Sequence, residues 1–218
     1  MIGLGKVEDL SKVLAIGMKN DIWGLVVSML YVSIFFCVLR ILQNINVLRE
    51  MYARKILHIA MANWWWIRIG IFQNPKLAVM GPLLFTIINF AREWSKHDSK
   101  YGMTQFAFSL SCLVAYSAYS DACMVKATVA IMILGLADPL AAIVGSVFNP
   151  HTKTLEGSIT FAIITYIVLL CGESLGFLII GQVHMICISF ALSLVEKYFL
   201  PKLDNLMIPL STIILLSL

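Results

Sequence analysis

Charge is what this chain has little of. Asp, Glu, Lys and Arg make up 13% of its 218 residues and hydrophobic residues 60%, with a mean hydropathy of +0.89. A soluble globule needs far more charged surface, so the composition excludes one and points to a polytopic membrane protein. Long basic runs are missing as well. The formal net charge of +4 is spread over short loops, which offers no footprint for nucleic acid and fits the Lys/Arg excess of cytoplasmic loops.

Paired cysteines are also lacking. Cys37, Cys112, Cys123, Cys171 and Cys187 lie scattered through apolar segments without a CxxC pair. That signals neither a disulfide framework nor a zinc site, and buried, inert thiols are expected. The first twenty residues carry Lys6, Glu8, Asp9, Lys12 and Lys19 without a cleavage-type pattern, which argues against a signal peptide. They read as an amphipathic interfacial segment over 1–20, ahead of a single transmembrane domain over 21–218.

What the chain does have is a series of apolar stretches, near 21–42, 56–73, 75–91, 103–120, 122–148, 157–180, 182–200 and 206–218. Each approaches the roughly 20 residues that cross about 30 Å of hydrocarbon. The expected fold is all-α, a polytopic helical bundle of seven to eight membrane segments. The fifth is too long for one straight span and contains Asp138-Pro139. Proline disfavours helical geometry just before it and lacks an N–H, whereas Asp at a cap with Pro following starts a helix well. The spacing therefore predicts one helix ending near Ala137 and another beginning at Asp138. The last stretch gives only about 20 Å of helix, short for a full span.

The polar connections at 43–55, 92–102, 149–156 and 198–205 are the first, third, fifth and seventh, so all fall on one side. They carry Arg49, Arg54, Lys55, Arg92, Lys96, Lys100, Lys153 and Lys202, a bias that puts them in the cytoplasm. Loops with clustered polar residues could thus converge on one site.

Candidate chemistry lies on those connections. Asp138 ends a long apolar run, where a carboxylate is costly without a use; it could hold a divalent cation or accept a substrate proton. Mg²⁺ prefers one or two carboxylates with phosphate oxygens and water. Lys153 can neutralise phosphate, the hydroxyls of Thr154 and Ser158 can bond phosphate oxygens, Glu156 adds a carboxylate, and Gly157 allows close backbone approach. Ordinary helix capping explains the same stretch on its own terms. Arg54, Lys55 and His58 share a helix face, with His58 a full turn inside the apolar run. Asn89, Arg92 and Glu93 read as interfacial capping and charge pairing. Glu196, then Asp204 and Asn205, flank a tight connection on the same side, where Asp204 also has the form of an N-cap. Trp64, Trp65 and Trp66 read as packing or belt residues, and Arg68 as snorkelling to the opposite face.

Three ordered blocks, Arg54-Lys55-x-x-His58, Asp138-Pro139-Leu140-Ala141-Ala142 with Gly145 and Lys153-Thr154-Leu155-Glu156-Gly157-Ser158, and Glu196 with Asp204-Asn205-Leu206 and Pro209, resemble the phytol, dolichol and polyprenol kinase family. CDP-diacylglycerol synthases share a related Asp and Lys-x-x-Glu-Gly pattern more distantly. The resemblance implies a multi-pass membrane enzyme with a cytoplasm-facing site that transfers the γ-phosphoryl of CTP to an isoprenoid alcohol, with Mg²⁺ bridging the phosphates. It implies metal or base roles for Asp138 and Asp204, with Glu196 as a further metal ligand and Glu156 supporting. Lys153, Arg54 and Lys55 would hold phosphates, together with Thr154, Gly157, Ser158 and Asn205, and His58 would orient the substrate hydroxyl. The expected partners are membrane lipids, a lipid alcohol and a nucleotide, with a homo-oligomer allowed. A CTP-dependent diacylglycerol kinase, a cytidylyltransferase and a small transporter with broken helices are the rival readings.

Overall fold

A computed structural model describes residues 3–4, 21–47, 50–95, 101–149, 152–198 and 203–218. The interfacial segment expected over 1–20 lies, apart from Gly3 and Leu4, outside these, as do Arg49, Lys96, Lys100 and Lys202.

The described chain is almost wholly helical: α1 (Asp21–Asn44), α2 (Glu50–Ile71), α3 (Pro75–Ser95), α4 (Gly102–Tyr116), α5 (Asp121–Met132), a π-helical turn (Ile133–Ala137), α6 (Asp138–Phe148), α7 (Leu155–Ser174), α8 (Gln182–Tyr198) and α9 (Asp204–Leu215). Counting α5 to α6 as one rod gives eight helices among the described residues. Three of them are long and apolar enough to cross a membrane: α1, the rod Asp121–Phe148 and α7. One antiparallel pairing, β1 (Gly3–Leu4) with β2 (Leu178–Ile179), joins the start of the chain to the α7–α8 connection.

The long rod is the axis. Of its most apolar window 72% is buried, against 33% in α7 and 6% in α1. A helix apolar all round belongs in the middle of a bundle, and in α5 every residue from Ala127 to Met132 is buried. By contrast α1 buries only Gly24 and Leu39 and turns Ile22, Met29 and Ile34 outward.

The expectation at Asp138-Pro139 holds in part: an α-helix begins at Asp138, but it continues the rod through the π-helical turn. Ala137 and Asp138 both keep helical backbone angles, so no break and no cap occurs there. Pro139 offers no N–H, and its ring would strike the Gly135 carbonyl four residues back. One wider π-helical turn absorbs both problems without ending the helix. Gly135 sits in that turn because α2 crosses it closely: a Cβ there would lie 1.9 Å from the Ala62 Cβ.

Contacts at the two ends of the bundle follow the parity of the connections. At one end Asp21 accepts hydrogen bonds from the Gln73 and Asn74 amides, Lys126 bonds Ser217, and Arg68 bonds Ser117. The candidate site lies at the other.

Three further expectations change. Arg68 does not snorkel: it is buried, donates to Ser117 Oγ and Met124 Sδ, and lies over the Trp65 ring. The cysteines are not buried: Cys37, Cys112, Cys171 and Cys187 are on exposed faces and Cys123 is half-buried, all as free thiols. Asp204 is the first residue of α9 rather than its N-cap, a place taken by Leu203. Trp64 and Trp65 do pack inside, bonding Ser28 and Thr128.

Candidate functional site

Close helix crossings bring the site together. Where Ala62 meets Gly135, α2 and the rod run antiparallel, so one turn towards the site His58 faces Asp138 and Lys55 follows. Lys55 Nζ donates to Asp138 Oδ2 at 2.8 Å, and His58 Nδ1 stands 3.7 Å from the same oxygen. A second crossing joins α6 to α7, where a Cβ on Gly157 would lie 2.9 Å from the Ala141 carbonyl and 3.4 Å from Gly145 Cα. It sets the Lys153–Thr154 approach to α7 against the outer half of α6. Thr154 is the N-cap of α7, accepting from the Gly157 amide at 3.1 Å.

Lys153 then reaches α8 and α9. Its ammonium contacts Glu196 Oε1 at 2.7 Å and Asp204 Oδ2 at 3.2 Å and also donates to the Glu196 carbonyl. Three acceptors satisfy all three of its donors. Burial works against this charge, but Glu196 and Asp204 outweigh it and hold the Lys153 pKa above the ordinary lysine value.

These groups line one cavity of about 230 Å³. The rod contributes Asp138, Ala141, Ala142, Gly145 and Ser146; α2 gives Met51 and Lys55; the 149–158 stretch gives Asn149, Thr152, Lys153, Thr154, Gly157 and Ser158; α8 and α9 give Glu196 and Asp204. Asp138 lies on the buried floor, while Lys55 and Lys153 are 23% and 28% exposed and face the mouth. Three carboxylates face two ammonium groups, so one negative charge is in excess when all five are ionised.

Comparison with protein-family models, with curated proteins and with solved structures finds no match. The site must be read from its own chemistry.

Of the candidates from sequence, Asp138, Lys55, Lys153, Thr154, Gly157, Ser158, Glu196 and Asp204 meet at the cavity. Four do not line it. Glu156 stands in the first turn of α7, turned off the cavity. Asn205 spends its amide on the Gly102 carbonyl, 2.8 Å away, and its own carbonyl accepts from Ser109. Arg54 lies beside Gly102, where a Cβ would come 2.8 Å from its guanidinium. His58 is sealed behind Asp138, its ring stacked on Phe106 at 4.4 Å, so it cannot orient a substrate hydroxyl directly. Glu93 caps α4 through the Met103 and Thr104 amides and the Thr104 hydroxyl, which is the capping expected of it.

Ser146, Asn149 and Thr152 were not singled out from sequence. A signal was available for the first two: Asp138, Ala142, Gly145 or Ser146, and Asn149 recur at helical spacing, so they follow one face of α6.

Among the described residues no three His, Cys, Asp or Glu side chains form a ready metal cluster. The donor set still fits Mg²⁺ delivered with a nucleotide. Carboxylate oxygens on two sides of the cavity could supply one or two ligands, with phosphate oxygens and water completing the shell.

Proposed function

We propose that this protein is a membrane-embedded kinase that transfers the γ-phosphoryl of CTP to the hydroxyl of an isoprenoid alcohol such as phytol, dolichol or another polyprenol. The observation that carries the reading is the meeting of Lys55 and Asp138 with Lys153, Glu196 and Asp204 in one cavity. Phosphoryl transfer asks a protein mainly for positioning and charge neutralisation, and two ammonium groups with three carboxylates supply both. The choice of CTP and of an isoprenoid acceptor rests on the resemblance of the three sequence blocks.

The excess negative charge favours a nucleotide that arrives as its metal complex over a bare polyphosphate. The cavity is smaller than the roughly 300–1,000 Å³ of a pocket that encloses a drug-sized ligand. It suits the phosphates and the reacting hydroxyl, leaving nucleoside and lipid tail outside. Asp204 and Glu196 would hold Mg²⁺, which when bound would neutralise phosphate charge. Lys55 and Lys153 would turn from these carboxylates to phosphate, and Glu196 and Asp204 would be left to hold the cation. The alcohol oxygen then attacks the γ-phosphorus, the bond to the β-phosphate oxygen breaks, CDP leaves, and Asp138 takes the hydroxyl proton.

The membrane accounts for the placement. Asp138 is 17 residues beyond Asp121 on the rod, about 26 Å along a helix, which brings it close to one face of a roughly 30 Å hydrocarbon layer. An alcohol anchored by its tail would present its hydroxyl at that depth. In this reading the helices cross the bilayer in alternation, with the lysine-bearing connections in the cytoplasm.

The test is to incubate purified protein with Mg²⁺, a panel of lipid alcohols, and CTP or ATP labelled at the α- or γ-phosphorus. Transfer of γ-label to an isoprenoid alcohol with release of CDP is the expected result. Transfer to diacylglycerol would change the acceptor, α-label on lipid with pyrophosphate release would make the protein a cytidylyltransferase, and no transfer from either nucleotide would end the proposal.

A further inference from the structure

His58 looks at first like a packing residue. Its ring lies flat on Phe106, 4.4 Å between centroids and 16° between planes, and Nε2 rests 3.1 Å from Met103 Sδ. Phe106 and Met103 are fully buried, and His58 itself is 4% exposed. Its other nitrogen does not fit that description. Nδ1 is buried without a hydrogen-bond partner and faces Asp138 Oδ2 from 3.7 Å. A lone pair aimed at a carboxylate oxygen would be repelled far more strongly than one resting on a neutral thioether sulfur, so the tautomer that suits the two contacts together carries its hydrogen on Nδ1. A donor is therefore held just short of a hydrogen bond.

Lys55 already donates to the same Oδ2 at 2.8 Å. Lys55 is a mobile four-carbon stem facing the cavity mouth, and a polyphosphate offers its ammonium more negative charge than one carboxylate does. Its departure would strand Asp138 in a buried position, which is strongly unfavourable. The replacement is already in place: closing from 3.7 Å to an ordinary 2.9 Å asks for ~0.8 Å of movement.

We infer that His58 is a positioning residue, which takes Asp138 Oδ2 from Lys55 when Lys55 moves to a phosphate and so keeps Oδ1 aimed at the acceptor hydroxyl. This rests on the kinase reading. His58 touches neither substrate nor phosphate; it acts through Asp138, and the lysine is freed without leaving the carboxylate unheld.

Two variants separate positioning from packing. His58→Phe keeps an aromatic ring for the Phe106 stack but has no donor, and His58→Gln keeps a donor without the ring. Outer-shell partners of this kind carry about 10–100-fold in activity. His58→Phe is expected to lose that much kcat with the KM for CTP within about twofold of wild type, and His58→Gln to recover part of it. Lys55→Met should instead raise the KM for CTP. A His58→Phe enzyme with wild-type kcat, or one whose loss appears only in KM, overturns the inference. Should the variants not fold, the wild type decides: with ¹⁵N-labelled histidine the Nδ1–H resonance of His58 should shift when Mg²⁺ and pyrophosphate are added, and an unmoved resonance overturns the hand-over. If the wild type phosphorylates no lipid alcohol, the kinase reading fails; if it does and His58→Phe matches it, this inference alone fails.

Discussion

Gly135→Ala tests how the site is assembled, whatever reaction it performs. The added Cβ would stand 1.9 Å from the Ala62 Cβ, while its next neighbours, Ala62 Cα and the His58 carbonyl, are at 3.4 and 3.5 Å. Carbon atoms rest at roughly 3.5–4.0 Å, so α2 must retreat by about 1.6–2.1 Å. Overpacking of this size costs about 1–3 kcal/mol, offset in part by the roughly 1 kcal/mol by which Ala outranks Gly in a helix. The same retreat carries the Lys55 and His58 backbone away from Asp138, and a displacement of about 1 Å can cost some 100-fold in rate. Ala62→Gly removes the one atom in conflict. The double variant exchanges a glycine for an alanine across the contact, so its helix propensities cancel and both stability and turnover should return towards wild type. Thermal unfolding in detergent over the four proteins of the cycle gives the coupling, expected at about 1–3 kcal/mol in favour of the double variant. A Gly135→Ala protein as stable as wild type, or a double variant no better than the single, would show that α2 and the π-helical turn do not meet as described.

Three other outcomes are expected. Asp138→Asn keeps the shape of the cavity floor and leaves Lys55 free to turn to solvent, so it should cost about 1–2 kcal/mol of stability and about 10²–10⁴-fold in lipid phosphorylation; turnover near wild type would remove Asp138 from the mechanism. Lys153→Met leaves Glu196 and Asp204 without their cation and should lower stability by about 1–3 kcal/mol. Because the folded pKa of Lys153 is raised, its contribution is whole below the ordinary lysine value of about 10.4 and fades as pH rises through the folded value; a gap between variant and wild type that closes between pH 6 and 9 would contradict this. Arg68→Met should be neutral or stabilising by about 1–3 kcal/mol, since Ser117 Oγ keeps its bond to the Val114 carbonyl and Trp65 its bond to Thr128. A loss above about 1 kcal/mol would mean that the buried guanidinium has a partner it needs.

Much of the architecture is legible in the sequence because apolar runs of similar length, joined by short polar connections, reduce folding to a few counted quantities. Apolar runs near 20 residues mark helices, and the observed helices begin within a few residues of the expected stretches, although α2 starts at Glu50, a turn and a half earlier than its apolar run. Parity does the rest. Alternating directions put Lys55, Asp138, Lys153, Glu196 and Asp204 at one end of the bundle, and connection counting alone anticipates that they could meet. Spacing within α6 could have added Ser146 and Asn149 to the list.

What stayed hidden depends on neighbours that are distant in sequence. Asp138-Pro139 has the local form of a helix start, and in isolation that is a sound reading. Whether the chain stops there or widens by one turn is decided by α2, whose Ala62 leaves room for no side chain at Gly135 and whose Lys55 holds Asp138 inside the bundle. Lys153 is a similar case. Beside Thr154 and Gly157 it reads as a phosphate ligand, yet its three donors are already taken by α8 and α9. A cation so fully engaged can serve a phosphate only by exchange. The site is therefore held closed by three internal ion pairs built on two lysines; a ligand that brings both signs of charge could open them together, whereas a bare anion would draw Lys153 away only by stranding its carboxylates.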